Sequence, residues 1–203
     1  MLEARELVVS RGETVLIDGL DLTVAPGEVL LVAGPNGSGK TTLLRTLAGL
    51  TLPEEGSVHW AGGNVRRDGG TYRQALIWIG HQPGIKLELT PRENLRVFAS
   101  LHGGEGDRDA ALTRMGLGER LDTPCRHLSA GQRRRVMLAR LLIEPASAWI
   151  LDEPYTALDR HAVEALEARL AEHAAAGGIT VMTSHQPVML EGVNLRHLEL
   201  GHG

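Results

Sequence analysis

The stretch from residue 29 to residue 50 constrains the fold more than any other part of the chain. Val29-Leu30-Leu31-Val32-Ala33 is an unbroken apolar run, the mark of a strand buried on both faces of a parallel sheet. Gly34-Pro35-Asn36-Gly37-Ser38-Gly39-Lys40-Thr41 follows directly, and a helical pattern occupies residues 41–50. The glycines let backbone N–H groups curl around phosphate oxygens without Cβ clashes. The helix N-terminus adds partial positive charge at the same place. Eight positions with both flanks in order fit the P-loop pattern, and a merely glycine-rich turn would have no need of them. In that pattern Lys40 reaches the β- and γ-phosphates and the Thr41 hydroxyl ligates Mg²⁺. The expected nucleotide contacts are Gly34, Pro35, Asn36, Gly37, Ser38, Gly39, Lys40, Thr41 and Thr42.

Other buried runs repeat the theme. Leu76-Ile77-Trp78-Ile79, Trp149-Ile150-Leu151 and Ile179–Thr183 read as further strands of a parallel sheet. Between them lie helices. Thr90-Pro91-Arg92-Glu93 is a capping box with proline at the first helical position, and that helix ends at Gly103-Gly104. A shorter helix starts near Asp107. A third opens at Ser129, carries Val136, Met137, Leu141 and Leu142, and stops at Pro145. Val163, Leu166 and Leu170 stripe one face of a fourth, which Gly177-Gly178 ends. The first 24 residues look different: Leu7-Val8-Val9, a turn at Arg11-Gly12-Glu13, then Leu20, Leu22 and Val24 in alternation, the pattern of antiparallel β. Val58 and Trp60 mark one more short strand. Alternating strands and helices predict an α/β fold with a mostly parallel sheet, in which ligands bind at the carboxyl ends of strands. Unusual polar residues stand just there, after four buried strands: Lys40, Gln82, Asp152-Glu153 and His185.

Asp152 and Glu153 close an apolar strand. A hard cation wants oxygen ligands, so Asp152 would hold Mg²⁺ directly or through water. Glu153 is placed to polarise an attacking water as general base, or to orient it. GTPases are disfavoured because no Asn-Lys-x-Asp guanine reader is present. Leu128-Ser129-Ala130-Gly131-Gln132 opens a helix with a serine and a pair of small residues. Free N–H groups and a hydroxyl at a helix start make a second phosphate site. Ser129 is either an N-cap alone or an N-cap that also binds another subunit's ATP; the companion motifs favour the second.

Taken together these segments resemble the ABC ATPase family over essentially the whole chain. In family order the sequence has the Walker A loop at 34–41, Gln82 in the Q-loop place, the Leu-Ser-Ala-Gly-Gln signature, Walker B at 149–153, the Ala157-Leu158-Asp159 D-loop and His185 in the switch place. The resemblance implies a P-loop (RecA-like) ABC ATPase core with an antiparallel β subdomain and a helical subdomain. All of residues 1–203 would be one domain, with the helical part at about 84–147. It implies ATP and Mg²⁺ as ligands, and two copies packed head to tail around two ATPs. One copy's Walker A would face Ser129, Gly131 and Gln132 of the other. Gln82 would sense the γ-phosphate and touch Mg²⁺, His185 would contact the γ-phosphate, and Asp159 would bridge the two sites. The sequence departs from the pattern twice. Ala130 replaces a usual glycine, and Arg11-Gly12 stands where the adenine-stacking aromatic belongs. A guanidinium can stack on a base, so Arg11 is the expected substitute.

Around the Q-loop, Trp78-Ile79-Gly80-His81-Gln82-Pro83-Gly84-Ile85-Lys86, Leu89-Thr90 and Glu93-Asn94-Leu95 are similar to the ATP-binding subunits that serve cytochrome c maturation, the haem exporter ATPases. That similarity implies as partners an integral membrane transporter subunit and membrane proteins of cytochrome c maturation. It implies a peripheral location on the cytoplasmic face of the inner membrane. The N-terminal residues show no signal peptide, and no run approaches the ~20 apolar residues that span a bilayer. A net charge of −4 argues against a nucleic-acid partner. Arg133-Arg134-Arg135, the only basic run, reads as a solvated helix face. Soluble ABC proteins that act on ribosomes or DNA usually carry two cassettes or a coiled-coil insertion, and neither is present. Intact Lys40, Asp152, Glu153 and His185 count against a module that binds ATP without hydrolysing it. The chain has no Cys-x-x-Cys-His haem site, and Cys125, its single cysteine, is expected to be structural.

Overall fold

The computed structural model describes residues 1–82, 84–104 and 106–201. Among them the strands form two sheets. The sheet that carries the chemistry is parallel. It comprises β3 (Glu28–Ala33), β6 (Leu76–Ile79), β7 (Ala148–Leu151), β8 (Ile179–Thr183) and β9 (Asn194–Glu199), in the order β6-β7-β8-β3-β9. Its apolar runs are explained by what covers each face. Val29, Leu31, Ile77, Ile79, Trp149, Leu151 and Met182 pack towards one hydrophobic core, whereas Leu30, Val32, Ala148, Ile150 and Val181 pack towards another. Successive residues thus alternate between two cores, and both sets must be apolar.

The second core lies between this sheet and an antiparallel one. β1 (Leu2–Arg11) and β2 (Thr14–Val24) form a hairpin around Gly12-Glu13, β4 (Glu55–Trp60) adds to the other side of β1, and the two-residue β5 (Gly63–Asn64) closes the edge. Leu2, Ala4, Leu7 and Val9 share this core with Leu43, Leu44 and Leu47 of α1 (Lys40–Leu47), the helix after the glycine loop. A further helix, α2 (Gly69–Ala75), has no counterpart in the sequence reading, because its two leading glycines are poor helix formers. Packing decides it: Tyr72 is buried and its hydroxyl donates to Leu47 O at 2.8 Å, satisfying a carbonyl at the end of α1.

Between β6 and β7 the described residues are helical or irregular, with no strand. α3 (Pro91–His102) starts with the expected capping box: Thr90 Oγ1 accepts from Glu93 N, and Thr90 N donates to Glu93 Oε2 at 2.9 Å. α4 (Arg108–Arg114) is capped by Asp107. α5 (Ala130–Leu138) is capped by Ser129 and passes into a 3₁₀ turn over Ala139–Leu142, so the third predicted helix keeps its place but tightens at its end. α6 (Arg160–Ala175) follows β7, with Leu166 and Leu170 buried in the core that faces these helices. β9 also escaped the sequence reading. It is an edge strand of mixed residues, joined to β3 by its ladder and by an Arg196–Glu28 ion pair. No helix among the described residues is long and apolar enough to cross a membrane.

The most basic stretch is the clearest correction. Arg133, Arg134 and Arg135 do not form a solvated face. Arg133 Nε donates to Cys125 O, Arg134 is 5% exposed, and Arg135 pairs with Asp159 at 3.1 Å. Each arginine ties α5 to a different neighbour.

One buried titratable group makes this fold sensitive to acid. His173 on α6 stacks on Trp149 with ring centroids 3.6 Å apart, and its Nε2 lies 3.2 Å from Ile179 O. Burial is the main reason its pKa falls to about 4; the Ile179 carbonyl opposes this and nearby Arg169 adds to it. A neutral imidazole donates that hydrogen bond without carrying charge into the core. The unfolded chain then binds a proton more readily than the folded one between about pH 6.5 and 4, so stability rises with pH across that window. Urea unfolding at pH 7 and pH 4.5 should show a loss in the wild type that is smaller by roughly 1–3 kcal/mol in His173→Phe, which keeps the stacking and cannot titrate.

Candidate nucleotide site

The carboxyl ends of β3, β7 and β8 are neighbours in the sheet, so the residues that follow them converge. The glycine loop leaves β3 with Gly34 in the left-handed region at φ 138°. A Cβ there would stand 2.4 Å from Leu200 O and 2.8 Å from Ser38 Oγ, so the tight curl admits no side chain. Lys40 opens α1 and folds back over the loop, donating from Nζ to Gly34 O at 2.6 Å and Pro35 O at 3.0 Å. Ser38 Oγ is buried and has no partner among the described residues. An orphaned hydroxyl inside a glycine cradle is what a phosphate-binding loop offers its ligand.

Asp152 is the hub. It is 2% exposed, and its two carboxylate oxygens accept from hydroxyls on opposite sides: Oδ2 from Thr41 Oγ1 and Oδ1 from Thr183 Oγ1, both at 2.9 Å. Thr183 Oγ1 in turn accepts from Glu153 N at 2.8 Å. Glu153 meets the next loop: His185 N donates to its Oε2 at 3.2 Å, and His185 Nε2 lies 3.4 Å from its Oε1. One hydrogen-bonded chain therefore joins the glycine loop, both acids and the histidine. The pairing of Thr41 with Asp152 gives a hydroxyl and a carboxylate within reach of one hard cation, with phosphate oxygens to complete its shell, as Mg²⁺ prefers.

These residues enclose a cleft of about 450 Å³. Asn36, Gly37, Gly39, Lys40, Thr41 and Thr42 of the glycine loop and α1 line it together with Asp152, Glu153 and His185. Arg11 lines the cleft, and so does Leu16, which sequence reasoning did not single out. A larger depression of about 840 Å³ between Thr46, β4 and Arg73 contains none of the motif residues from 34–41 or 149–153.

Some expected residues are elsewhere. Gln82 is exposed beyond the end of β6 and is not in the cleft wall, although His81 is; Pro83 lies outside the described residues. Ser129, Gly131, Gln132 and Asp159 are also absent from the cleft. Ser129 forms a capping box with Gln132: Ser129 Oγ accepts from Gln132 N at 3.2 Å, and Ser129 N donates to Gln132 Oε1 at 2.9 Å. Ala130 fits because its backbone stays out of the left-handed region. Gly131 cannot be replaced as easily. A Cβ on it would fall 2.3 Å from Ala157 O, in the segment leading to Asp159. Asp159 caps α6 through Ala162 N and pairs with Arg135 of α5.

Two more residues were not recognised. Thr183 looked like the polar end of a strand, and only its register beside β7 makes it the bridge between Asp152 and Glu153. Arg134 was read as surface; its guanidinium donates to Gly80 O, Asp152 O and Glu153 O at 2.6, 2.7 and 2.9 Å. Burial holds its pKa below the usual arginine value, while Asp152 and Glu153 push the other way.

The profile of the ABC transporter family matches residues 17–156, which take in the glycine loop, Ser129 and both acids. The chain belongs to the ABC transporter family. It is 49% identical over 204 residues to the cytochrome c biogenesis ATP-binding export protein CcmA of Salmonella typhi, covering 100% of this chain and 98% of that protein. The CcmA protein of Nitrosomonas europaea is also 49% identical, over 98% of this chain and 95% of its own. Among solved structures, an ATP-binding subunit of an ABC transporter superposes with a TM-score of 0.81 at 29% identity, over 91% of this chain and 80% of that one. Membership in this family makes the protein a nucleotide-binding ATPase subunit.

The bridging role of Thr183 is testable. Thr183→Val should lower ATP hydrolysis by about 10–100-fold, the usual cost of removing a group that orients a metal-binding carboxylate. Thr183→Ser keeps the hydroxyl and should restore most of the rate in the same phosphate-release assay.

Proposed function

We propose that this chain is the ATP-hydrolysing motor of a cytochrome c maturation export system. It would work as a homodimer on the cytoplasmic face of the membrane, docked on an integral membrane subunit. The observation that carries the catalytic reading is the hydrogen-bonded chain Thr41–Asp152–Thr183–Glu153–His185 at one cleft. Similarity over the full chain to the two CcmA proteins supports the biological assignment.

In this reading the glycine loop takes the triphosphate, with the orphaned Ser38 Oγ donating to it and the Lys40 ammonium turning from the loop carbonyls to phosphate oxygens. Thr41 and Asp152 would hold Mg²⁺, which would supply charge neutralisation at the triphosphate. Glu153 orients the attacking water or takes its proton, and His185 keeps the carboxylate in place from the next loop. Gln82 would follow the nucleotide state from the end of β6. Arg11 supplies the platform for the base, a cation–π type of contact and therefore a loose reader.

The signature residues outside the cleft favour a shared site. In the first turn of α5 the N–H groups of Ala130 and Gly131 have no intrahelical acceptor, and Ser129 stands beside them. A second copy would bring that helix start to this copy's ATP, and Asp159 would lie at the seam. The helices at about 84–147 would form a subdomain facing the membrane partner. Leu87 there is exposed, while Leu89 and Phe98 are half-buried. Asn94 holds the segment before α3, accepting from Lys86 N at 2.8 Å and donating to Lys86 O and Thr90 O at 3.0 Å.

Two measurements test these statements. Glu153→Gln should bind ATP yet hydrolyse it about 10²–10⁴-fold more slowly, the range for a lost general base, and light scattering with Mg-ATP should show a dimer. A monomer at saturating nucleotide would overturn the shared site. In cells, Lys40→Ala should leave c-type cytochromes without haem while other haem proteins mature. Normal haem staining of c-type cytochromes in that strain would overturn the export assignment and leave the ATPase intact.

A further inference from the structure

We propose that Arg134 is a positioning residue for ATP hydrolysis: from α5 it clamps the main chain of Asp152 and Glu153 to that of Gly80, and so fixes where the Glu153 carboxylate stands. The inference rests on the reading of Glu153 as the residue that handles the attacking water.

The main chain at Glu153 is the first reason. Glu153 has φ 52°, a left-handed conformation that a residue with a Cβ adopts only when its surroundings impose it. Here both of its polar backbone groups are held. Thr183 Oγ1 accepts from Glu153 N at 2.8 Å, and Arg134 Nη2 donates to Glu153 O at 2.9 Å. The second reason is the choice of partners. A buried guanidinium is costly unless its donors are matched; both Nη groups of Arg134 are spent on main-chain carbonyls, and only its buried Nε has no partner among the described residues. Nη1 takes Gly80 O at 2.6 Å, and Nη2 is shared by Asp152 O at 2.7 Å and Glu153 O. Gly80 follows the end of β6, just before His81, which lines the cleft. The clamp therefore joins the ends of two adjacent strands to the helix that Ser129 starts. Movement of α5 relative to the sheet would be felt at the Glu153 peptide directly through the Arg134 side chain.

Lysine cannot reproduce this clamp. Its ammonium is a point donor on a flexible stem, whereas the planar fork of arginine spans carbonyls from two strands at once. Full-length Arg134→Lys should lose about 10–100-fold in kcat, as outer-shell substitutions commonly do. KM for ATP should stay within about threefold, because the phosphate loop is untouched. Binding of a fluorescent ATP analogue and the thermal midpoint should remain close to wild type. In a Glu153→Gln background the same substitution should change single-turnover hydrolysis by less than about twofold, since two residues acting through one step do not add.

An unchanged kcat in Arg134→Lys would overturn the proposal, as would an equal loss in both backgrounds. Arg134→Gln serves as the second variant. If both variants lose nucleotide binding together with their folded structure, Arg134 is a structural anchor only and the positioning role is overturned. Wild-type hydrolysis by Glu153→Gln alone would instead overturn the reading of Glu153, and this proposal with it.

Discussion

The carboxylate of Asp152 accepts hydrogen bonds from Thr41 on one side and Thr183 on the other, and the site is organised around that pair of contacts. The three residues come from three different elements: the start of α1, the end of β7 and the end of β8. A buried carboxylate costs free energy unless both oxygens are matched, so the strand ends must keep their register for the fold to tolerate it. The parallel ladder of β7 with β8 supplies that register, and β8 in turn pairs with β3, from which the glycine loop springs. The geometry of the cleft is thus set by the sheet, and the loops inherit it.

A second layer of control comes from the helices between β6 and β7. Arginines tie α5 to the site. Arg134 reaches the carbonyls of Gly80, Asp152 and Glu153, and Arg135 pairs with Asp159. Gly131 allows the helix start to lie against Ala157, itself in the left-handed region at φ 62°. The signature helix, the segment around Ala157 and the acidic strand end form one mechanical unit within a single chain. On the proposed shared site, an event at Ser129 would reach Glu153 through these contacts.

The sequence made a good part of this legible for physical reasons. A strand that alternates between two cores must be apolar at every position, and the glycine loop must follow it directly, so β3, the loop and α1 declared themselves. The capping boxes at Thr90 and Ser129 are local chemistry, and both helices begin where those residues place them. α2 and β9 were not legible. α2 starts with two glycines and depends on the burial of Tyr72, while β9 is an edge strand whose residues mix polar and apolar types. The arginine run misled because charge in a sequence reads as exposure, and only the packed structure reveals the carbonyls that Arg133 and Arg134 satisfy.

By itself, then, the sequence determined the family and the α/β architecture, and it singled out the glycine loop, the two acids and the histidine as candidates for one site. Each of these follows from local pattern: apolar period, glycine spacing, or a polar residue just past a buried strand. Only the tertiary structure decided that Thr183 bridges the acids, that Arg134 holds their backbone, and that the signature residues stand apart from the cleft. Those facts depend on which strand lies beside which and on how a helix from the middle of the chain packs against them. Contacts between residues 18 to 111 positions apart leave no periodic trace in the chain, because their geometry exists only once the sheet has formed.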